Sequence, residues 1–193
     1  MITIAWDVDD ILNDLMYCWL THKWLVDHPG CRVSFERITE NTPERLINST
    51  KEEYWVSLDS FRLSKAYLDM KPNPEVMVWF EKFGNKARHI ALTSVPIKAS
   101  HISADWVVRN FGKWIRSFNF VPSVRTGEKI PEYDHTKTDY LKWLNKIDVL
   151  VEDNEENIRE AKELGIRGIL VAKPWNKSNL SVKDALVEIN KLL

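Results

Sequence analysis

Five short apolar runs are spaced along this chain, and helical periodicity fills the gaps between the later ones. The runs are Ile2–Trp6, His89–Leu92, Phe118–Val121, Ile147–Val151 and Gly168–Ala172. None alternates cleanly between apolar and polar residues, which suits strands of a parallel sheet covered on both faces. Parallel strands need long crossover connections. Pro74–Phe83 places Val76, Val78, Trp79, Phe80 and Phe83 largely along one side, with Gly84 as a stop. Ser103–Phe111 carries Trp106, Val107 and Phe111, with Gly112 after it. Thr136–Lys146 carries Tyr140, Leu141 and Leu144, and Glu155–Leu164 carries Ile158, Ala161 and Leu164 before Gly165. Ser181–Leu192 reads as the last helix. The expected fold class is α/β: a Rossmann-like parallel sheet flanked by helices, with right-handed crossovers.

From about Leu12 to Lys71 the rhythm breaks. Helical patterns occur there, with Leu15, Cys18, Trp19 and Leu25 in the first, and no strand pair. This predicts a small α-helical cap, residues 14–71, inserted after the first strand of a core domain made of 1–13 and 72–193. The prolines of Lys71-Pro72-Asn73-Pro74 exclude a continuous helix at the return. Trp19, Trp24, Tyr54, Trp55 and Phe61 fall in the insertion. Trp19 and Trp24 suit its own core, whereas Trp55 and Phe61 are equally suited to that core and to contact with a substrate.

The first apolar run ends in Asp7, Asp9 and Asp10, with Asp14 just beyond. Carboxylates this close repel one another, and a cation would resolve the conflict. In open parallel sheets ligands gather beyond the carboxyl ends of the strands. Thr93-Ser94 follows the second run, Glu152-Asp153-Asn154 the fourth, and Lys137 opens the helix leading into the fourth. Carboxylates from two strand ends suit a hard cation such as Mg²⁺, which binds through one or two carboxylates plus substrate phosphate. Asp7 could then attack phosphorus, with Asp9 as general acid and base. Thr93, Ser94 and Lys137 could hold the phosphoryl oxygens. Each residue alone has a plainer reading: Thr93 and Ser94 as helix caps, Lys137 as a solvated charge, Asn157 as support for the loop after Asp153.

Taken together, "DVD", "LTS", Lys137 and "VEDNEEN", each tied to a strand end, resemble the four motifs of the haloacid dehalogenase superfamily, in order and across nearly the whole chain. The resemblance implies a phosphatase with Asp7 as nucleophile and Asp9 as acid/base, the second aspartate being absent from dehalogenases. It places the motif hydroxyl on Thr93, the lysine on Lys137 and the acid pair on Glu152-Asp153. Mg²⁺ would be held by Asp7, the Asp9 backbone carbonyl and Asp153. "LTSVPIKAS…WVVRNFG", "YWVSLDSF" and "MKPNPEV" look more loosely like the 5'(3')-deoxyribonucleotidases, which implies a nucleoside monophosphate substrate. Two departures stand out. Asp10 occupies a position where the family usually has Gly, and the long Lys137-to-Asp153 spacing makes Lys129 a rival lysine.

Composition narrows the alternatives. A net charge of -1 over 193 residues gives no reason to expect a nucleic-acid polymer or membrane partner. Two cysteines without metal-ligand spacing, and acidic residues from position 7 where a leader would have its apolar core, suit a cytoplasmic chain. Six glycines leave no Gly-rich phosphate loop or dinucleotide fingerprint. Sugar-phosphate phosphatase, 3'-phosphate-end phosphatase and a non-catalytic phosphate-binding module remain as alternatives to a nucleotidase. Oligomeric state is open.

Overall fold

The computed structural model describes residues 1–193. Five parallel strands, β1 (Thr3–Trp6), β2 (Arg88–Val95), β3 (Ile115–Pro122), β4 (Val149–Glu152) and β5 (Arg167–Leu170), form one sheet in the order β3-β2-β1-β4-β5. All four pairings are parallel, as the apolar runs predict. β1 is central, with Ile4 opposite His89 on one side and Val149 on the other.

Both faces are covered, which explains the absence of alternation. Ile4, Trp6, Val149 and Val151 point to a face packed by α5 (Pro74–Phe83), α6 (Ile97–Phe111) and α9 (Val182–Asn190). Ala5, Ile90, Leu92 and Leu150 point to the other, packed by Leu141 of α7 (Lys137–Leu144) and by Ile158 and Ala161 of α8 (Glu155–Glu163). Two sequence expectations are corrected. Val78 is 46% exposed, because it lies two positions from Val76, on the far side of the helical turn. α6 begins at Ile97 rather than Ser103; exposed Ile97, Lys98 and His101 in its first turns hide the periodicity.

The segment between β1 and α5 holds no strand. Its first helical run is α1 (Leu15–Trp19), a π-helical turn (Leu20–Trp24) and α2 (Leu25–Asp27). Its second is α3 (Lys51–Arg62), started by a capping box between Thr50 and Glu53, then α4 (Lys65–Leu68). Residues 28–50 contain only a 3-10 turn, Phe35–Arg37, so helix is confined to the two ends of the segment. Trp19 and Trp24 are buried 5.6 Å apart, as residues of its core.

One buried polar pair inside the sheet carries a pH dependence. The Trp6 indole N–H donates to His89 Nδ1 at 3.1 Å, so His89 Nε2 carries the proton and donates to the Gly84 carbonyl at 2.9 Å. Burial pushes His89 down to about 4 from its ordinary 6.5. The unfolded chain therefore takes up this proton first as pH falls. Stability from His89 is complete above pH 6.5 and is lost as pH falls through 4, by about 3 kcal/mol in all. Urea midpoints at pH 7 and pH 4.5 should fall more for the native chain than for His89→Gln, and the difference isolates this group from other titrations. Equal falls would show that His89 is not the cause.

Candidate functional site

Asp7, Thr93, Ser94, Glu152 and Asp153 lie at the carboxyl ends of β1, β2 and β4, and Lys137 opens α7. All line one cavity of about 190 Å³, together with Asp9, Asp10, Trp55 and Asn157. The structure thus brings together every sequence-predicted site residue except Phe61. That aromatic is 2% exposed and packs edge-on against Tyr67 instead, because it faces the core side of α3.

Lys137 is the pivot. The Thr136–Asp139 capping box fixes the start of α7, and burial leaves Lys137 only 3% exposed. Its Nζ lies 2.9 Å from Asp7 Oδ1 and 2.6 Å from Glu152 Oε2. Burial opposes its charge, but these two carboxylates outweigh it and hold the ammonium protonated. Lys129, the rival, is exposed and does not line the cavity. Thr93 is buried and Ser94 exposed, and neither caps α6, whose N-cap is Pro96.

Asp7, Glu152 and Asp153 each offer an oxygen, all within 4.8 Å of one another. Burial first, then the neighbouring carboxylates, pushes Asp7 up to about 7. Asp153 is pushed up to about 7 by burial and by Asp7 and Asp10. Burial also raises Glu152, with Lys137 opposing. Clustered, buried oxygen donors short of positive charge are the donor set that fits a hard divalent cation. The cluster is braced from behind. Trp175 Nε1–H donates to Asp153 Oδ2 at 2.6 Å, and Asn176 Nδ2 donates to the Asp153 carbonyl at 2.8 Å.

The Asp9 carboxylate is not in this cluster. It turns towards the inserted segment, where Arg62 Nη2 lies 2.9 Å from Oδ2. Tyr67 OH (3.0 Å) and Asn13 Nδ2 (3.2 Å) donate to its Oδ1. Nearby, Asp59 takes two parallel bonds from Arg125, 2.8 Å from Nε and 2.7 Å from Nη2. Burial would raise Asp59, but Arg125 outweighs it and holds the carboxyl below its usual range. This pair ties α3 to the loop after β3.

Asp10 has a structural reason. Its φ is 66°, the left-handed region that most side chains avoid and that Gly, Asn and Asp enter most readily. Its Oδ1 accepts from Met16 N–H at 3.0 Å, so the side chain organises the turn into α1. Burial pushes it up to about 7 despite Lys173. Asp10→Gly should keep the turn and change stability by no more than about 1 kcal/mol, whereas Asp10→Ala adds strain of about 1 kcal/mol beyond that. Chemical denaturation of the two variants checks the order; Asp10→Ala as stable as Asp10→Gly would refute it.

Sequence reasoning missed Asn13, Arg62, Tyr67, Arg125 and Trp175. For Arg62 a signal existed: it continues the Tyr54, Leu58 face of α3, so a charge stands on an otherwise buried stripe. No helix is long and apolar enough to cross a membrane.

Neither protein-family models nor curated proteins yield a match to this chain. Solved structures do. A candidate beta-phosphoglucomutase from Thermotoga maritima aligns over 100% of both chains at 18% identity, TM-score 0.60. A haloacid dehalogenase-like hydrolase from Streptococcus pneumoniae aligns over 97% of this chain and 90% of its own at 11% identity, TM-score 0.62. A candidate phosphoglycolate phosphatase from Lactobacillus delbrueckii aligns over 99% and 97% at 14% identity, TM-score 0.58. Strand order, coverage and these neighbours agree that the chain has the haloacid dehalogenase-like, Rossmann-type α/β fold.

Proposed function

We propose that this chain is a Mg²⁺-dependent phosphomonoester hydrolase of the haloacid dehalogenase superfamily, working through an aspartyl-phosphate on Asp7. The observation that carries the reading is the grip of Lys137 on Asp7 beside the Asp7, Glu152 and Asp153 cluster. Asp7 and Asp153 would hold the cation, with the Asp9 backbone carbonyl; one Glu152 oxygen is already taken by Lys137. When bound, the cation offsets the carboxylate repulsion and draws charge from the phosphoryl oxygens.

Asp7 Oδ1 is occupied by Lys137 and by the Val8 N–H, so Oδ2 is the attacking oxygen. It bonds to phosphorus as the ester P–O bond breaks, and Asp9 gives a proton to the leaving oxygen. A water then attacks phosphorus, Asp9 takes its proton, and the bond to Asp7 breaks. Asp9 must exchange one of its three donors for the leaving oxygen. Thr93, Ser94 and Lys137 hold phosphoryl oxygens as charge shifts. Residues 14–71 act as the cap on the core of 1–13 and 72–193: Asn41, Thr42, Tyr54, Trp55 and Arg62 supply the outer wall.

The substrate is small and hydrophilic, of sugar-phosphate size. The cavity is below the roughly 300 Å³ at which drug-sized sites begin, and only five of its 20 lining residues are hydrophobic. Two structural neighbours carry names that point to small phosphorylated compounds. A second reading, a nucleoside monophosphate, is favoured by Trp55 in the wall. Its ring already carries Lys51 at 4.8 Å and Arg125 at 4.9 Å, which a stacking base would have to displace. A soluble, cytoplasmic setting completes the proposal; both cysteines are free. Phosphate release from hexose phosphates, glycerol phosphates, nucleoside monophosphates and p-nitrophenyl phosphate tests it. Release in Mg²⁺, loss in EDTA and higher kcat/KM for the small esters are expected. Binding of these esters with no release would make the protein a phosphate-binding module and overturn the proposal.

A further inference from the structure

Arg62 and Arg125 are the two arginines of the cavity wall, and they are used differently. Arg125 is spent on its neighbours: Nε and Nη2 on Asp59, Nη1 on the Ser123 carbonyl and hydroxyl. Arg62 is not. It is 8% exposed, yet its only hydrogen bond is the one from Nη2 to Asp9. Its Nη1 is 3.8 Å from Asp59 Oδ1, beyond hydrogen-bond reach, and its Nε has no partner.

A guanidinium carries five N–H donors in a fixed fork, and leaving buried donors unmade costs free energy. Asp59 cannot supply what is missing, because Arg125 and Lys98 already compete for it, Lys98 at 3.2 Å. The charge pattern points the same way. Asp7 and Glu152 flank Lys137, whereas Arg62 on α3 and Arg125 on the loop after β3 both approach Asp59, and all of these but Asp59 line the one cavity. A phosphomonoester whose phosphate sits at Lys137 has its other end in the cavity that Arg62 lines.

We propose that the substrate carries a second anionic group, a carboxylate a few bonds from the phosphoester, and that Arg62 receives it. A carboxylate matches Arg62 in charge and gives Nη1, which no hydrogen bond holds, a charge-assisted partner. A second phosphate offers charge of the same sign, but the cavity of about 190 Å³ favours the smaller group. This inference rests on the phosphatase reading and names its substrate class: short phosphorylated hydroxy acids.

Matched substrates separate it from that reading. 3-Phosphoglycerate and glycerol 3-phosphate differ in one terminal group, carboxylate against hydroxymethyl. 2-Phosphoglycolate and 2-hydroxyethyl phosphate form a second such pair, and glycerol 1,3-bisphosphate supplies the second phosphate. The native enzyme should prefer the carboxylate member of each pair by about tenfold or more in kcat/KM, the scale of one charge-assisted bond. Arg62→Gln lowers turnover of every substrate, because Asp9 loses a partner, but it should also collapse the carboxylate preference to near unity. Arg62→Lys, which keeps the charge, should retain part of it and serves if the glutamine variant does not fold. Equal kcat/KM within each pair for the native enzyme would overturn this inference and leave the phosphatase reading standing. So would a preference that survives both substitutions, or faster hydrolysis of the bisphosphate than of 3-phosphoglycerate. No hydrolysis of any member, p-nitrophenyl phosphate included, would overturn both.

Discussion

Asp7→Asn should abolish phosphate release while leaving the fold intact. The amide is nearly the same size but cannot attack phosphorus, so kcat should fall by on the order of 10⁴ to 10⁶, the scale of losing a nucleophile. Stability should not fall with it. Asp7 is pushed up to about 7 by burial and by Glu152, so its charge is held at a cost in the absence of a cation. The variant removes that charge, and Lys137 keeps Glu152 at 2.6 Å. Thermal unfolding in EDTA should give a midpoint no lower than that of the native chain. Near-native turnover by Asp7→Asn would end the covalent mechanism.

Lys137→Met should be the most destabilising single change in the site. It leaves Asp7 and Glu152 buried without their cation, and breaking a buried pair of this kind costs about 3–5 kcal/mol. For a domain of this size that is a drop of roughly 10 °C in Tm. The sign of its pH dependence follows. Without Lys137 the carboxyls hold protons more tightly in the folded chain than in the unfolded one, so lowering the pH stabilises the fold. The deficit should therefore shrink between pH 8 and pH 6. Phosphatase activity should be lost too, whereas Lys129→Met, at an exposed position, should change neither property. Equal effects of the two substitutions would remove Lys137 from its assigned role.

The strands were legible because burial on both faces leaves unbroken apolar runs, and the later helices because one stripe of each packs on the sheet. The inner half of the cavity was legible for a related reason. Its residues sit at strand ends, so Asp7, Thr93 and Asp153 announce themselves by following apolar runs. The outer half follows no such rule. Arg62 and Tyr67 reach Asp9 from helices 53 and 58 residues further along the chain. Arg125 comes from a loop 66 residues beyond its partner Asp59. Such pairings depend on how the inserted segment docks, which no local periodicity encodes. Phe61 shows the limit in reverse: an aromatic near the site is core when its helical phase points inward. Asp10 could be flagged as a departure from glycine, but only its backbone angle explains it.

The central place of β1 also bears on how the chain is made. Its two neighbours are β2 and β4, and the backbone of Thr3 is hydrogen-bonded to Asp148, 145 residues away. At roughly 5–20 residues per second of translation, β1 waits on the order of ten seconds before its second edge can be covered. During that time an apolar strand with open edges stands ready to pair wrongly. Asp7, Asp9 and Asp10 at its end are then still in water, where their charge costs little and keeps the segment solvated. The carboxylates that make the finished site electrostatically demanding thus stand directly after an apolar strand, the position in which charge opposes aggregation of an exposed run.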